Sequence, residues 1–194
     1  MSDRARMSSM RKLCSREPSE ALWAQVMALL RDWPWQSMQI GLEYADHQLR
    51  RWPDRLRRNL PWMKWDDLHP AWGLIRHLDL SDHPLHGGRA QNLAQARRLS
   101  NITHLTAPRC QLGDEGFGAL IQSPWLGQLQ SLDASDNALG LAAAQALART
   151  SRLTDLIELD LGHNPLGDAA VAALIDAEQL IGLTRLGLPY AGLG

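Results

Sequence analysis

Histidine and cysteine supply most metal ligands and many nucleophiles in proteins, so their spacing is the first test for chemistry. Four of the seven histidines lie near one another in sequence: His69, His77, His83 and His86. A metal site needs a defined ligand shell, and this spacing favours surface and turn positions instead. Cys14 and Cys110 form neither a metal motif nor a disulfide framework. The sequence has no phosphate loop, nucleophile elbow or zinc-protease motif. We therefore expect no enzyme, catalytic residue, metal or cofactor.

A cluster of arginines flanked by tryptophans could meet phosphate groups. It consists of Arg50, Arg51, Arg55, Arg57 and Arg58. Asp46 and Asp54 lie among these arginines, which favours a solvated helix face over a phosphate site. The net charge of the chain is −1, so nothing global points to nucleic acid. No apolar run reaches the ~20 residues that a membrane span needs, so we expect neither a nucleic-acid nor a membrane partner.

The better candidates for recognition are polar side chains that recur every 27 residues, which is the spacing from Ile75 to Ile102. The repeats are numbered from their first residues, which are Ile75, Ile102, Leu129, Leu156 and Leu183. Position three holds His77, His104, Ser131, Glu158 and Arg185. Position five holds Asp79, Thr106, Asp133, Asp160 and Gly187. Position eight holds Asp82, Arg109, Asp136, His163 and Tyr190. Positions three and five lie on one face of a strand, and position eight lies on the turn that follows.

The acidic members of this set suggest a binding surface. Adjacent strands lie ~4.8 Å apart, so Asp133 and Asp160 should be lateral neighbours, with Glu158 and Asp136 beside them. Like charges at this spacing repel one another and are mildly destabilising without a partner. Two interpretations stay open: the carboxylates bind a basic or amine-bearing ligand, or aspartate simply keeps this face soluble. The predicted partner-binding residues are His77, Asp79, His104, Arg109, Asp133, Asp136, Glu158, Asp160, His163, Arg185 and Tyr190.

The apolar residues of the repeat predict the strands that must position these side chains. Residues 156–166 read LIELDLGHNPL, which is L-x-x-L-x-L-x-x-N-x-L. Position four is Leu78, Leu105, Leu132, Leu159 and Leu186, and position six is Leu80, Ala107, Ala134, Leu161 and Leu188. Position eleven is Leu85, Leu112, Leu139, Leu166 and Leu193. Positions four and six differ by two, so in a strand they share one face, and that face must be the core.

The second half of each repeat is predicted to be helical, because it is rich in Ala and Leu. Position nineteen is Leu93, Leu120, Leu147 and Leu174, and position twenty-five is Leu99, Leu126, Leu153 and Leu180. These leucines should close the core from the helix side. Position twelve, where the chain turns from strand to helix, holds Gly113, Gly140, Gly167 and Gly194.

This pattern resembles the leucine-rich-repeat family, and a helix in each repeat resembles its ribonuclease-inhibitor-like class. The resemblance covers residues 75–194, with the last repeat incomplete. It implies an α/β solenoid with parallel strands on a concave side and helices on a convex side. In the family, position nine is an Asn or Cys at which the chain turns inward. Asn137, Asn164 and Cys110 hold it here, so we interpret Cys110 as structural. The resemblance implies a non-enzymatic scaffold that binds a protein of unknown identity on its concave face.

Residues 1–74 differ from the repeats in composition and hold seven of the eight tryptophans. Residues 1–17 are rich in Arg and Ser and are predicted to be a disordered tail. Residues 18–74 are predicted to be a helical, Trp-rich N-terminal cap, which repeat arrays require. Ser19 should start its first helix, whose apolar stripe is Leu22, Trp23, Val26, Met27 and Leu30.

A second helix is predicted to begin near Gln36. Its inner side should carry Ile40, Tyr44, His47 and either Leu49 or Trp52. Residues 54–58 should add a short turn, and residues 62–74 an irregular lead-in to the repeats. Tyr44, Ala45 and Asp46 are similar to a motif of a helical domain that precedes leucine-rich repeats in some bacterial proteins. The Trp-Leu-Glu-Glu typical of that domain is replaced here by residues 47–50, so the similarity implies a bacterial type and carries no activity.

Two other functions stay open for such a chain. One is a regulatory accessory of the GTPase-activating type, although no residue here matches the functional Arg or Asn of that class. The other is a bacterial effector or adaptor that acts through its N-terminal region. The two cysteines fit a reducing cytoplasm. The last strand should present an open edge. The chain is therefore part of a longer array, a frayed monomer, or a homodimer that associates end to end through residues 183–193.

Overall fold

The computed structural model describes residues 1–63, 69–86 and 88–192, and the chain divides into two compact units, Met1–His77 and Leu78–Gly194. The helices of the first unit are α1 (Asp3–Cys14), α2 (Glu20–Arg31) and α3 (Met38–Leu49). Short 3₁₀ turns follow at Asp54–Leu56 and Pro70–Leu74. The turn expected at residues 54–58 is thus confirmed. Part of the expected lead-in, residues 64–68, lies outside the described residues.

Residues 3–14 form a helix, so the prediction of a disordered tail over residues 1–17 is wrong. The Ser2 side chain caps α1 by accepting a hydrogen bond from the Ala5 N–H at 3.4 Å. Met10 is fully buried and Cys14 is 8% exposed. These two residues are four apart and therefore share one helix face. The prediction relied on the average composition of residues 1–17, which is polar. The buried face of α1 consists of only one apolar pair, and an average over the segment does not show it.

Helix α2 begins where its capping residue predicts. The Ser19 hydroxyl accepts a hydrogen bond from the Leu22 N–H at 3.2 Å, as a helix N-cap does. The predicted apolar stripe is confirmed as the buried face: Leu22, Trp23, Val26, Met27 and Leu30.

Helix α3 buries a different face from the predicted one. Its buried residues are Met38, Gly41, Ala45 and Leu49, whereas Ile40 is 65% exposed, Tyr44 is half-buried and His47 is exposed. The inward assignment of Ile40 and His47 is therefore wrong, and Tyr44 is only partly buried. Of the two alternatives at the end of the helix, Leu49 is confirmed as buried, whereas Trp52 is buried but lies beyond α3. The reason is steric, because a Cβ at Gly41 would lie 2.7 Å from the Trp33 ring. The missing side chain of Gly41 leaves room for the Trp33 ring. A prediction based on large apolar side chains does not detect such a contact.

The repeats alternate short strands with helices. The strands are β1 (His77–Asp79), β2 (His104–Thr106), β3 (Ser131–Asp133), β4 (Glu158–Asp160) and β5 (Arg185–Gly187). The helices between them are α4 (Arg89–Ala94), α5 (Gly113–Ile121), α6 (Leu141–Arg149) and α7 (Gly167–Ile175). Additional 3₁₀ turns lie at Arg97–Asn101 and Glu178–Leu180. At Gly113 and Gly167, φ is +59° and +71°, values that favour glycine where the chain enters the helix.

The five strands form one sheet in the order β1-β2-β3-β4-β5. Strands β2 to β5 pair in parallel, and each residue lies opposite its equivalent in the next repeat, so that Leu105, Leu132, Leu159 and Leu186 are successive partners. A parallel sheet with a helix after each of the first four strands confirms the α/β class and the repeat frame.

The leucines of the frame form the core between sheet and helices. Position nineteen is 0–3% exposed at Leu93, Leu120, Leu147 and Leu174. Position four is 1–5% exposed at Leu78, Leu105, Leu132 and Leu159, but Leu186 is 41% exposed. Position eleven is buried at Leu85, Leu112, Leu139 and Leu166, whereas Leu193 and Gly194 lie outside the described residues. Burial of the frame is confirmed in the first four repeats.

Asparagines at position nine link successive repeats. The Asn137 Oδ1 atom accepts the N–H groups of Cys110 and Leu112 at 2.9 and 3.2 Å, while its Nδ2 donates to Ala107 O and Ser135 O. Asn164 repeats this arrangement one repeat later, accepting from Asn137 N and Leu139 N. Each asparagine is 1% exposed, so it satisfies backbone groups that water cannot reach.

Candidate functional site

The candidate site is the polar sheet face, which consists of positions three and five of strands β2 to β5 together with Asp79. These residues are part-buried in β2, β3 and β4, and alternate with buried leucines. The register makes Asp133 the partner of Asp160, and Glu158 the partner of both Ser131 and Arg185. The expected side-by-side placement of Asp133 and Asp160 is therefore confirmed.

Each aspartate at position five also caps the turn after its strand. Asp133 Oδ1 accepts hydrogen bonds from the Ser135 N–H at 3.0 Å and the Ser135 hydroxyl at 2.7 Å. Asp79 does the same with Ser81, and Asp160 Oδ1 accepts from the Gly162 N–H at 2.8 Å. This role was missed from the sequence. The sequence signal for this role is the Ser or Gly that follows each aspartate by two residues. In turns, an Asp side chain accepts a hydrogen bond from the backbone N–H two residues further on.

Two arginines neutralise part of the acidic surface. Arg185 Nη1 lies 2.9 Å from Glu158 Oε1, and Ser131 Oγ donates to the other oxygen of Glu158 at 3.3 Å. Arg109 contacts Asp82 in a bidentate pair, with Nε to Oδ1 at 2.6 Å and Nη2 to Oδ2 at 3.1 Å. The hydrogen bond from Arg109 lowers the pKa of Asp82 below its ordinary value. Positions three, five and eight together carry six carboxylates and two arginines, so the surface stays negative.

Position eight forms a row of exposed side chains on the turns beyond the strands. All five of its residues have φ between 52° and 63°, which is rare for residues other than glycine. Asp136 is exposed between the Arg109 and His163 positions of this row. The His163 and Tyr190 rings stack with centroids 4.7 Å apart, and Tyr190 is 81% exposed. The predicted residues Arg109, Asp136, His163 and Tyr190 are thus accessible to a partner.

The remaining histidines occupy separate local environments. His77 Nδ1 lies 3.3 Å from the Arg55 carbonyl oxygen, and His104 Nδ1 lies 2.9 Å from Thr103 Oγ1. His83 Nδ1 lies 2.9 Å from its neighbour's carbonyl, Ser81 O. Among residues 1–63, 69–86 and 88–192, no group of three or more His, Cys, Asp or Glu side chains could hold a metal ion.

The arginine cluster of residues 50–58 divides between surface and interior. Arg57 is 2% exposed, which corrects its assignment to a solvated helix face. Its Nε donates to Leu74 O at 2.8 Å, and its Nη2 lies 3.8 Å from Asp46 Oδ1. Burial lowers the pKa of Arg57 to about 10, as does repulsion by Arg76, while Asp54 and Asp46 oppose that shift. Arg57 therefore joins backbone segments of the first unit.

Both cysteines are buried inside their own units. Cys110 Sγ donates to Leu80 O at 3.0 Å, and burial raises the pKa of this thiol to about 11. Cys14 contacts Met10 Sδ at 3.7 Å, and burial raises its pKa to about 11 as well. A protonated, buried thiol is a poor nucleophile, which supports the structural interpretation of Cys110.

Comparison with known proteins finds one family model that matches a short part of the chain. A family model described as "Leucine Rich repeat" matches residues 152–174, which cover β4 and most of α7. The match supports a leucine-rich-repeat protein and suggests a protein-interaction module, a family role that is generally non-enzymatic. No curated protein matches the chain significantly. In the described part of the chain, every helix is too short or too polar to cross a membrane.

Proposed function

We propose that residues 75–194 form a leucine-rich-repeat solenoid of the ribonuclease-inhibitor-like class and bacterial type, with residues 18–74 as its N-terminal cap. The support is the constant register between neighbouring strands, in which equivalent positions of successive repeats are partners. A helix follows each of the first four strands, as that class of repeat has. We place the protein in the cytoplasm because both cysteines are free and buried.

The proposed function is non-enzymatic protein recognition, with the polar sheet face as the concave binding surface. The ligand is an extended protein segment that carries Lys or Arg. The observation that carries this proposal is the neighbouring pair Asp133 and Asp160 within a surface of negative charge. Turn capping uses Oδ1 of each aspartate. Asparagine would cap equally well through its own oxygen, so capping does not account for the charge.

The test compares charge-only variants in the full chain. Extended peptides are selected from a random library on the wild-type protein, and their affinities are measured by calorimetry at low and high salt. Asp133→Asn combined with Asp160→Asn keeps the capping oxygen and removes the charge. We expect basic peptides to be enriched, and the variant to bind them at least ~10-fold more weakly with less dependence on salt, because screening acts only on charge.

The matched control is Asp155→Asn combined with Asp176→Asn. This variant also loses two carboxylates, at exposed sites off the polar sheet face. It should bind like wild type. Equal binding of the selected peptides by all three proteins would contradict the proposal, as would a selection that yields only acidic or apolar peptides.

A further inference from the structure

A groove of about 460 Å³ lies in the middle of the repeats, and its lining comes from α6, from the turn after α6 and from the end of α5. Its polar groups are the guanidinium groups of Arg149 and Arg152, the Ser151 hydroxyl and the side-chain amides of Gln122 and Gln145. Among the residues that the structure describes, none that lines this groove is acidic. The α5–α6 groove is therefore a basic site on a chain whose net charge is −1.

The buried residue Thr150 fixes the backbone that carries the two arginines. Its side chain donates to the Ile121 carbonyl oxygen, at the end of α5, at 3.1 Å and accepts the Arg152 N–H at 3.4 Å. The Thr150 N–H donates to Leu147 O within α6 at 3.3 Å. These bonds hold the turn after α6 against the end of α5, so the positions from which the arginine side chains start are set by the fold.

The arginines of the α5–α6 groove are not used by the protein itself. An arginine near a helix C-terminus often donates to the last carbonyl oxygens, but here Thr150 already bonds to a carbonyl at each helix end. Within the described part of the chain, the exposed side chains of Arg149 and Arg152 make no hydrogen bond or ion pair. Asp155, the acidic residue nearest to them in sequence, accepts the Thr154 hydroxyl at 3.4 Å instead. Two like charges in one groove call for an anion.

We propose that the α5–α6 groove binds a phosphate monoester, with the phosphate group between Arg149 and Arg152. A carboxylate has only two oxygens, and the fork of one arginine is enough to bind both. A phosphate monoester has three oxygens and carries about two negative charges at pH 7. It therefore accepts hydrogen bonds from both arginines and from the Ser151 hydroxyl. The Gln145 amide and the Ala146 methyl group then line the space for the organic group that carries the phosphate.

Two kinds of molecule present this group: a small organic phosphate and a phosphorylated protein side chain. The α5–α6 groove includes no residue of the polar sheet face, so its ligand does not depend on the function proposed for that face. Asp133→Asn combined with Asp160→Asn should accordingly bind phosphate monoesters like wild type.

The experiment titrates the full chain at low salt, where screening of exposed charges is weak. The probes are phenyl phosphate, benzoate, and a glycine-flanked phosphoserine peptide with its unphosphorylated form. Binding is followed by the backbone amide resonances of Ser151 and Arg152 and the side-chain amide of Gln145. We expect both phosphates to shift these resonances, and benzoate to bind at least ~10-fold more weakly. Tighter binding of phenyl phosphate would identify a small ligand, and tighter binding of the phosphopeptide would identify a protein.

Arg149→Gln combined with Arg152→Gln removes both charges from exposed positions. This variant should bind both phosphates at least ~10-fold more weakly than wild type, since charged hydrogen bonds are lost. The matched control is Arg11→Gln combined with Arg16→Gln. It also removes one exposed arginine from the last turn of a helix and one from just beyond the helix, and it should bind like wild type.

Several results would overturn the proposal. One is a titration in which neither phosphate shifts the three resonances of the groove, a measurement that needs no variant. Another is benzoate binding as tightly as phenyl phosphate. A third is unchanged phosphate affinity in Arg149→Gln with Arg152→Gln when its circular dichroism matches wild type, or an equal loss of affinity in the control.

Discussion

At the scale of single residues, buried ionisable side chains make the free energy of unfolding depend on pH. Burial raises the pKa of Cys110 from 9.0 to about 11. Above pH 9 the unfolded thiol loses its proton while the folded thiol keeps it. The stabilisation from Cys110 is therefore complete below pH 9 and is lost as pH rises toward 11.

Cys110→Ser tests this dependence. Between pH 8 and pH 10, wild type should lose about 1 kcal/mol more free energy of unfolding than the variant, since one pKa unit corresponds to about 1.4 kcal/mol. Urea unfolding at the two pH values measures the difference. Cys14 and Arg57 also have shifted pKa values, but both proteins contain them, so their effects cancel. An identical pH dependence of wild type and variant would contradict the assignment.

Asn137 should matter more to stability than its size suggests. Asn137→Ala removes the side-chain partner of the Cys110 and Leu112 N–H groups and of two carbonyl oxygens. An unsatisfied buried polar group costs ~1–3 kcal/mol, so the variant should lose about 3 kcal/mol or more in chemical unfolding. Asn137→Asp keeps the acceptor and loses the donors, and should fall between wild type and Asn137→Ala. A loss below about 1 kcal/mol for Asn137→Ala would show that water replaces these bonds.

At the scale of elements, the packing of the strands sets the contribution of each leucine. Leu159 in β4 is 1% exposed, whereas its register partner Leu186 in β5 is 41% exposed. Leu159→Ala should cost ~2–5 kcal/mol, as expected for a core leucine. Leu186→Ala should cost less than about 1 kcal/mol, because this side chain is already partly exposed to water. Urea unfolding of both variants checks the pair, and equal costs would contradict the packing of β4 against its helices.

The sequence predicted the elements of the repeats better than those of the first unit, for a physical reason. In residues 75–194, each position recurs in four or five repeats, so the pattern of one repeat identifies the equivalent elements of the others. In α3, the buried face was misassigned because Gly41 and Trp33 fit together by shape. Helix α1 was not predicted because its two buried residues, Met10 and Cys14, lie in a segment of mostly polar and charged residues. At the candidate site, the strand register was predictable from the period, but the turn capping by Asp79, Asp133 and Asp160 was not recognised.

At the scale of the whole molecule, the proposed cap implies that both units unfold together. Seven of the eight tryptophans lie in the first unit, and only Trp125 lies among the repeats. In Trp125→Phe, fluorescence therefore reports the first unit, while circular dichroism at helical wavelengths reports both. If residues 18–74 cap the repeats, the two urea transitions should coincide, because coincident probes indicate one cooperative transition. Two separate midpoints would contradict the cap. If circular dichroism shows that Trp125→Phe is less stable than wild type, the same experiment uses Trp125→Tyr instead.

The asparagine bonds also give the array a polarity. Each position-nine asparagine supports the turn of the repeat before it, so support runs from the C-terminal side toward the N-terminal side. Ala191 holds this position in the last repeat and has no side-chain oxygen. The Leu166 N–H donates to Asn164 O within its own turn instead. Local opening should therefore begin at the turn of the fourth repeat and proceed toward the second. In hydrogen exchange, the amides of Asn164 and Leu166 would exchange first, those of Asn137 and Leu139 later, and those of Cys110 and Leu112 last.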